Sequence, residues 1–317
     1  MKKLMVFAMA AIMTVSALTG CVQKTNGTGT APAEGTSASD EKVLYVYTAL
    51  EDEQVNDYLK EFKEQNPDIT VNVTRESTGV ITSKLLAEKD NPVADVVWGL
   101  SATSLLVLKQ EGMLEAYAPE GVENILPQFK DDAEVPSWVG IDAWETAWVV
   151  NKEVLKSKGI DTVPTSYKDL LDPKYAGLIV MPNPASSGTG LLTVNGILSL
   201  YGEEAGWEYL DALDKNVAVY MHSGSQPAKE TAAGEYGIGI SFGYRCLTLA
   251  EEVGSDICEA VFPEEGSGWD MEANALIKKD GEKEISKKFL DWAISENIMK
   301  KYAENYPIVA TGVGEDL

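Results

Sequence analysis

The stretch VLYVYTALEDEQVNDYLKEF, residues 43–62, places a run of β-branched and aromatic residues directly before an amphipathic segment. Within that segment Val55, Tyr58, Leu59 and Phe62 recur at the i, i+3, i+4, i+7 spacing of a half-buried helix. The stretch therefore predicts a β-strand followed by a helix that packs one face against it.

The same order of elements recurs twice in the next fifty residues. Residues 69–73 alternate in polarity like a strand and lead into a helical pattern of Ile81, Leu85 and Leu86. Residues 94–98, which are apolar except for Asp95, form a third predicted strand before a helix predicted over 101–110. Three strand–helix units in series predict a parallel, doubly wound sheet, with the ligand edge at the carboxyl ends of its strands.

A second series follows an aromatic, strand-like segment over residues 138–151, which we interpret as a crossover between two lobes. The second series is predicted at 178–181, 189–200, 207–213, 217–221 and 238–242, and strands at 260–262 and 272–277 lead back to a terminal helix or helix pair over 285–302. The predicted fold is α/β, with two doubly wound lobes joined by a hinge. Lobe 1 comprises residues 43–140 plus 261–300, and lobe 2 comprises 141–260 plus 301–317.

The N-terminus has the features of a secretory signal. Residues 1–20 combine a basic start with a short apolar run, and Leu18-Thr19-Gly20-Cys21 resembles a lipobox, which predicts lipid on Cys21. Residues 21–42 are rich in Gly, Thr, Ser and Ala and form a predicted flexible tether with a reach of roughly 25 Å. The expected location is outside the cytoplasm, on the membrane; the alternative is a plain signal peptide cleaved nearby.

Composition excludes several kinds of partner and chemistry. A net charge of −24 is incompatible with a basic surface that neutralises the backbone phosphates of a nucleic acid, so no nucleic-acid partner is expected. A single histidine and the absence of a Cys/His cluster in the sequence predict no metal and no cofactor. Cys246 and Cys258 are twelve residues apart and either form a disulfide or remain buried thiols. We expect a monomer.

Small polar residues gather where strands pass into helices. The clusters are Thr48 to Glu51, Ser77-Thr78-Gly79, residues 99–104, and Ser186-Ser187-Gly188-Thr189. Hydroxyls and exposed amides at a helix start can bind an anionic group without a cationic side chain, although ordinary helix capping explains any one such loop.

The rarer side chains add a second indication. Arg75 and Arg245 are the only arginines, and both neighbour these loops, where a guanidinium suits phosphate, phosphonate or carboxylate. Trp98 or Trp144 could face an ammonium group, with Glu51, or less directly Asp142 and Asp270, as its carboxylate partner. A structural role is predicted for His222.

Several motifs resemble those of the substrate-binding proteins of 2-aminoethylphosphonate ABC transporters, within the type 2 periplasmic binding protein class. They are residues 47–54, 77–82, 87–92 with 94–100, 181–190, His222-Ser223-Gly224-Ser225 and Gly239-Ile240-Ser241-Phe242. The resemblance implies two α/β lobes that close on a ligand and deliver it to ABC permease subunits. Ferric-binding relatives carry adjacent tyrosines where this chain has Tyr244-Arg245, a departure that disfavours iron and suits a zwitterion.

The predicted mode of binding places a phosphonate on residues 186–189, with Ser77, Thr78 and Arg245 completing the anion site, and places the ammonium against Glu51 and an aromatic ring. The full predicted ligand-binding set is Thr48, Glu51, Ser77, Thr78, Gly79, Trp98, Ser101, Trp144, Ser186, Ser187, Gly188, Thr189, Ser241, Tyr244 and Arg245. No catalytic residue is predicted. The alternatives are ferric iron, thiamine or a polyamine on the same fold, a secreted phosphonate or phosphate hydrolase, and an adhesive lipoprotein.

Overall fold

The structure, a computed structural model, describes residues 42–281 and 283–312. Strands and helices alternate along most of this region. The first elements are β1 (Val43–Thr48), α1 (Asp52–Gln65), β2 (Thr70–Arg75), α2 (Thr78–Ala87), β3 (Val96–Ser101), α3 (Ala102–Gln110), β4 (Leu114–Glu115) and β5 (Val139–Asn151). They are followed by α4 (Lys152–Ser157), β6 (Ile179–Pro182), α5 (Gly188–Tyr201), α6 (Glu203–Asp214), β7 (Val217–Met221), α7 (Gln226–Ala232), β8 (Ile238–Phe242), α8 (Gly243–Val253), β9 (Cys258–Val261), β10 (Trp269–Ile277), α9 (Glu284–Trp292), α10 (Glu296–Ala303) and β11 (Ile308–Val309).

The opening strand–helix units form as the sequence predicts. Strand β1 lies between β2 and β3 and is parallel to both. Helix α1 buries Val55, Tyr58, Leu59 and Phe62, the four residues at helical spacing. Their burial places α1 against the sheet and leaves the loop between β1 and α1 at the carboxyl edge of the strands.

The long strand β5 is shared by two parts of the sheet. Residues 139–145 of β5 pair antiparallel with β10, and residues 146–151 pair antiparallel with β8 and β9. The strand order is β2-β1-β3-β10-β5-β8-β6-β7, with β4, β9 and β11 attached beside that path. We call residues 43–138 and 269–309 the first half and residues 152–261 the second half, with β5 joining them.

The second half repeats the parallel arrangement. Strand β6 is parallel to both β7 and β8. Helix α5 begins just after β6 and buries Leu192 and Ile197. The parallel strands of both halves thus end in loops that carry helix N-termini.

Separate hydrophobic cores support the two halves. One core joins α1, β1 and the C-terminal helices, and includes Phe62, Trp98 and Tyr302. Another core, which includes Trp148 and Tyr209, consists of residues from the second half together with residues from β5. Residues after 300 pack in the first core, as Val309 and Ala310 are fully buried there.

The predicted α/β class is confirmed, and the differences are local. The C-terminal segment, predicted as one helix or a pair of helices, forms the pair α9 and α10. Helices α4, α7 and α8 were not predicted. Helices α4 and α7 are too short to carry a recognisable apolar repeat, and α8 begins at Gly243, directly after β8. Cys246 and Cys258 are buried free thiols, so the disulfide alternative is not found. The signal segment, Cys21 and the tether to residue 41 lie outside the described residues.

Candidate ligand-binding cleft

A cleft opens where the carboxyl ends of β1 and β3 face the start of α5. It contains a cavity of about 50 Å³ with walls from both halves of the chain. The lining residues are Ala49, Glu51, Gln54, Arg75, Ser77, Thr78, Gly99, Ser101, Trp144, Ser187, Gly188, Thr189, Gly224, Phe242, Glu272 and Tyr306.

Three helices begin at this cleft. Ser77, Ser101 and Ser187 are the N-cap residues of α2, α3 and α5. The Ser187 hydroxyl accepts a hydrogen bond from the Gly190 amide at 3.3 Å. The first N–H groups of a helix lack intrahelical acceptors and carry partial positive charge, so three converging helix starts favour an anion.

The starts of α2 and α5 touch each other across the cleft. The Gly79 amide donates to the Ser186 carbonyl at 3.0 Å. A Cβ atom at Gly188 would lie 2.8 Å from Thr78 Oγ1, closer than such atoms approach in proteins. Glycine at 188 therefore permits the two helix starts, one from each half, to meet.

Glu51 is the centre of a cluster of ion pairs. Its carboxylate lies 2.8 Å from the Arg75 guanidinium and 3.3 Å from both Lys229 and Arg245. Arg245 also pairs with Glu53. Burial alone would lower the pKa of Arg245, but the hydrogen bond to Glu53 and the charge of Glu51 raise it. Lys229 and Arg245 belong to the second half, so these ion pairs cross the cleft.

The opposite wall is aromatic and acidic. Trp144 and Phe242 pack edge to face with centroids 6.3 Å apart, beside Tyr306. Glu272 of β10 lies opposite the fully buried Asp142 of β5 in the register of the two strands. Burial raises the pKa of both carboxyl groups well above the ordinary range.

Eight of the sequence-predicted residues line this cleft. They are Glu51, Ser77, Thr78, Ser101, Trp144, Ser187, Gly188 and Thr189. Gly79 lines the adjoining pocket. Arg245 and Tyr244 lie just behind the cleft wall, where the Arg245 guanidinium carbon stands 5.7 Å from the Tyr244 ring centre and the guanidinium pairs with Glu51.

Four other predicted residues have structural contacts instead. Trp98 is fully buried in the first core and donates its Nε1 hydrogen to the Tyr302 hydroxyl at 3.0 Å, so it does not face the cleft. The Thr48 hydroxyl accepts from the Leu50 amide. Ser186 and Ser241 donate to backbone carbonyls, of His222 and Gly224 respectively. Each hydroxyl thus stabilises the backbone of a loop near the cleft.

Sequence reasoning missed several cleft residues. Gln54, Phe242, Glu272 and Tyr306 were not predicted, and Arg75 was noted only as a neighbour of the loops. Glu272 and Tyr306 are remote in sequence from every polar loop and reach the cleft because β10 and the C-terminal segment return to the first half. A strand pair that carries two acids, Asp142 and Glu272, in an apolar context was the available signal.

A second pocket adjoins the first. It has a volume of about 230 Å³ and shares Thr78, Ser101, Ser187 and Gly188 with the cleft. Its additional lining is rich in hydroxyl and amide groups, including Thr82, Thr103, Ser104 and Asn195, with Asp270 at one side. Asp270 accepts hydrogen bonds from Ser101 and Thr103.

Neither a metal-binding group of side chains nor a membrane-spanning helix is found in residues 42–281 and 283–312. None of the His, Cys, Asp and Glu side chains there form a group of three or more that could hold a metal ion. No helix of that region is both long enough and apolar enough to span a membrane.

Comparison with known proteins assigns a family. A protein of Haemophilus influenzae, described as uncharacterized, is 30% identical over 266 residues, which are 82% of this chain and 75% of that protein. A probable ABC transporter periplasmic-binding protein of Sinorhizobium fredii is 26% identical over 72% of this chain, and the match spans 63% of that relative.

The fold matches solved structures of the same kind. The periplasmic binding protein AfuA of Actinobacillus pleuropneumoniae, solved with fructose-6-phosphate bound, is 29% identical with a TM-score of 0.78 over 86% of both chains. The family described as bacterial extracellular solute-binding protein matches residues 57–316. The chain therefore belongs to the bacterial extracellular solute-binding protein family.

Proposed function

We propose that this member of an ABC-importer solute-binding family captures 2-aminoethylphosphonate outside the cytoplasm and delivers it to a permease without altering it. The observation that carries the ligand assignment is the meeting of the α2 and α5 N-termini across the cleft. A phosphonate has three oxygen acceptors, which match hydroxyl and amide donors converging from two sides.

The donors at this point come from both halves of the chain. Ser77 and Thr78 belong to α2 and its cap, whereas Ser187 and Thr189 belong to α5 and its cap. Arg75 borders the same cavity and supplies full positive charge, with one guanidinium nitrogen already paired to Glu51 at 2.8 Å. An anion held by this set would gain contacts from both halves only when the cleft is closed, so binding would favour the closed form.

The remaining wall supports a cationic tail on the same ligand. Trp144, Phe242 and Tyr306 present aromatic surface, and Glu272 adds a carboxyl group. Aromatic faces and a carboxylate are the groups that stabilise an ammonium in a desolvated site. A short zwitterion, with phosphonate at the helix starts and ammonium at this wall, satisfies both ends of the cavity.

We also propose that lipid on Cys21 tethers the protein to the membrane. The two halves would act as lobes, and β5 together with the segments after β8 and before β10 would form the hinge. The ion pairs of Glu51 with Lys229 and Arg245 join the halves and support a closed arrangement. Residues 301–309 belong to the first lobe in this proposal, because Tyr302 and Val309 are buried in the first core.

Isothermal titration calorimetry tests the ligand. We expect saturable binding of 2-aminoethylphosphonate with micromolar or tighter affinity, and weaker binding of phosphate, ferric citrate, thiamine and spermidine. Failure of 2-aminoethylphosphonate to bind below millimolar concentration contradicts the assignment. Unchanged ligand recovered from the complex, shown by ³¹P NMR, is expected of a carrier; turnover would instead support the hydrolase alternative.

The adjoining pocket favours one second candidate, a sugar phosphate. Its hydroxyl-rich lining of about 230 Å³ could accept a polyol whose phosphate sits at the helix starts, and AfuA was solved with fructose-6-phosphate. Fructose 6-phosphate in the same titrations separates the two candidates. Tighter binding of the sugar phosphate than of 2-aminoethylphosphonate would make it the preferred ligand.

A further inference from the structure

The acid pair of Asp142 and Glu272 lies at the floor of the cleft in the centre of the sheet. The two residues are direct partners in the register of antiparallel strands β5 and β10. Asp142 is fully buried, and Glu272 reaches the cavity as one of its lining residues. Only one of the two acids can therefore contact a ligand directly, while the other lies behind it.

The pair is poorly satisfied by the surrounding protein. In the described part of the chain, both carboxyl oxygens of Asp142 and Oε2 of Glu272 are buried without a hydrogen-bond partner of good geometry. The backbone amide and the side chain of Glu272 interact with Asp142, but they lower its pKa by less than burial raises it. A lone buried carboxylate is strongly unfavourable, and two adjacent carboxyl groups hydrogen-bond to each other only through a shared proton. When the pair holds one proton it carries a single negative charge, and a cationic ligand would favour this state over the doubly protonated, neutral one.

Among the described residues, the groups that act most strongly on the pair are acids and tyrosines, and Arg75, a cation that lines the same cavity, is paired with Glu51. Tyr58 of α1, Tyr302 of α10, Tyr306, Glu51 and Asp270 are the groups whose charges act on the pair. Glu51 is itself paired with Arg75, Lys229 and Arg245. The charge of the acid pair is therefore left for a ligand to balance, whereas the charge of Glu51 is balanced already.

A second, independent feature borders the same space. Trp144 lines the cavity with 8% of its surface exposed, and its Nε1 is buried without an acceptor among the described residues. Phe242 and Tyr306 stand beside it. The indole N–H requires an acceptor, whereas the aromatic faces and the acid pair favour a cation. The site therefore matches an occupant that carries both a cationic group and a hydrogen-bond acceptor.

We propose that Glu272, positioned by Asp142, binds the cationic amine of the ligand and is the residue that distinguishes an aminophosphonate from a simple phosphonate. Glu51, the residue that sequence reasoning favours for this role, instead orients the arginines and Lys229. The inference rests on the proposed function and adds to it a specificity determinant contributed by β10.

A pair of ligands that differ only in the amine tests the inference. Titration calorimetry with 2-aminoethylphosphonate and ethylphosphonate is performed on the wild-type protein and on Glu272→Gln, Asp142→Asn and Glu145→Gln. Glu145 is the matched control, because it is a half-buried acid of β5 that does not line the cavity. All three substitutions keep side-chain shape.

We expect the wild-type protein to prefer 2-aminoethylphosphonate over ethylphosphonate by about 10- to 100-fold, the range of one hydrogen bond to a charged group. Glu272→Gln should weaken 2-aminoethylphosphonate by that factor and leave ethylphosphonate within about 3-fold. Asp142→Asn should cause a smaller loss of the same preference, and Glu145→Gln should retain it. A purely structural role would weaken both ligands equally.

Each other outcome overturns the inference in a distinguishable way. If Glu272→Gln keeps the preference, or loses affinity for both ligands alike, Glu272 does not recognise the amine. If the wild-type protein binds both phosphonates equally, phosphonate capture stands and amine recognition fails. If it binds neither, the proposed function fails and the inference with it. Should Glu272→Gln not fold, as judged by its melting transition, loss of the preference in Asp142→Asn decides the question.

Discussion

The contact between α2 and α5 predicts a substitution that prevents closure without damaging either half. In Gly188→Ala the added Cβ would lie 2.8 Å from Thr78 Oγ1 and 2.9 Å from Thr78 Cβ. Gly188 opens α5 in the second half, and Thr78 opens α2 in the first half. The clash therefore acts between the halves, and opening the cleft relieves it.

The cost can be estimated from this geometry. Forcing one extra methyl group into a packed contact costs about 1–3 kcal/mol. Because the clash is present only in the closed arrangement, that cost should appear as weaker ligand binding, by about 5- to 150-fold. The melting temperature of the ligand-free protein should change little, since an open cleft has no clash.

A glycine inside the second half provides the control. In Gly206→Ala the new Cβ would lie 2.8 Å from Leu198 Cδ2, a contact between α6 and α5 that closure does not alter. We expect Gly206→Ala to lower the melting temperature and to leave affinity unchanged. Calorimetric titration and thermal melting of both variants give the comparison. Equal affinity of Gly188→Ala and wild type would refute the reasoning, as would a loss of stability in Gly188→Ala that matches the loss in Gly206→Ala.

Three further predictions follow from single residues. Arg75→Met should weaken 2-aminoethylphosphonate and ethylphosphonate alike in titrations, by about 10- to 100-fold, because it removes a cation beside the anion site; selective loss of one ligand would contradict this. Burial raises the pKa of Asp142, so the folded protein holds more protons than the unfolded chain above about pH 4, and stability falls as pH rises. Asp142→Asn should therefore show a smaller fall in melting temperature between pH 5 and pH 8 than wild type; parallel curves would be inconsistent with a buried titrating pair. Burial opposes ionisation of Asp131, but hydrogen bonds from Lys109 and Ser137 prevail and lower its pKa, so its contribution is present above about pH 4 and lost below. Asp131→Asn should lower the free energy of unfolding by about 1–3 kcal/mol at pH 7 and by less at pH 3 in urea titrations; an equal effect at both pH values would rule out this origin.

The sequence predicts those parts of the fold that rest on local periodicity. The helix carrying Val55 to Phe62 forms as expected because apolar spacing alone determines which face it buries. The predicted strand over residues 217–221 coincides with β7 because its β-branched and aromatic residues favour a strand, although residues 218–220 are exposed. Helix α8 was missed because it begins at Gly243, where the chain still reads as the end of a strand.

The candidate site divides along the same line. Ser77, Thr78 and Ser187 to Thr189 were found because small polar residues at a strand–helix junction are a local signal. Glu272 and Tyr306 reach the cleft through strand pairing and chain return, which depend on tertiary structure. Trp98 was misplaced because periodicity could not tell which face of β3 would be covered by α10. Ion-pair partners likewise depend on tertiary structure. The sequence therefore assigns Glu51 to the ligand, whereas in the structure Arg75, Lys229 and Arg245 surround it.

The crystal structure of the complex with 2-aminoethylphosphonate tests the central claim most directly. We expect a closed cleft, with phosphonate oxygens within hydrogen-bond distance of Ser77, Thr78 and the first turn of α5. We also expect the ammonium nitrogen beside Glu272 and Trp144. A phosphonate bound away from the α2 and α5 N-termini, or a reversed ligand with its amine at those helix starts, would contradict it.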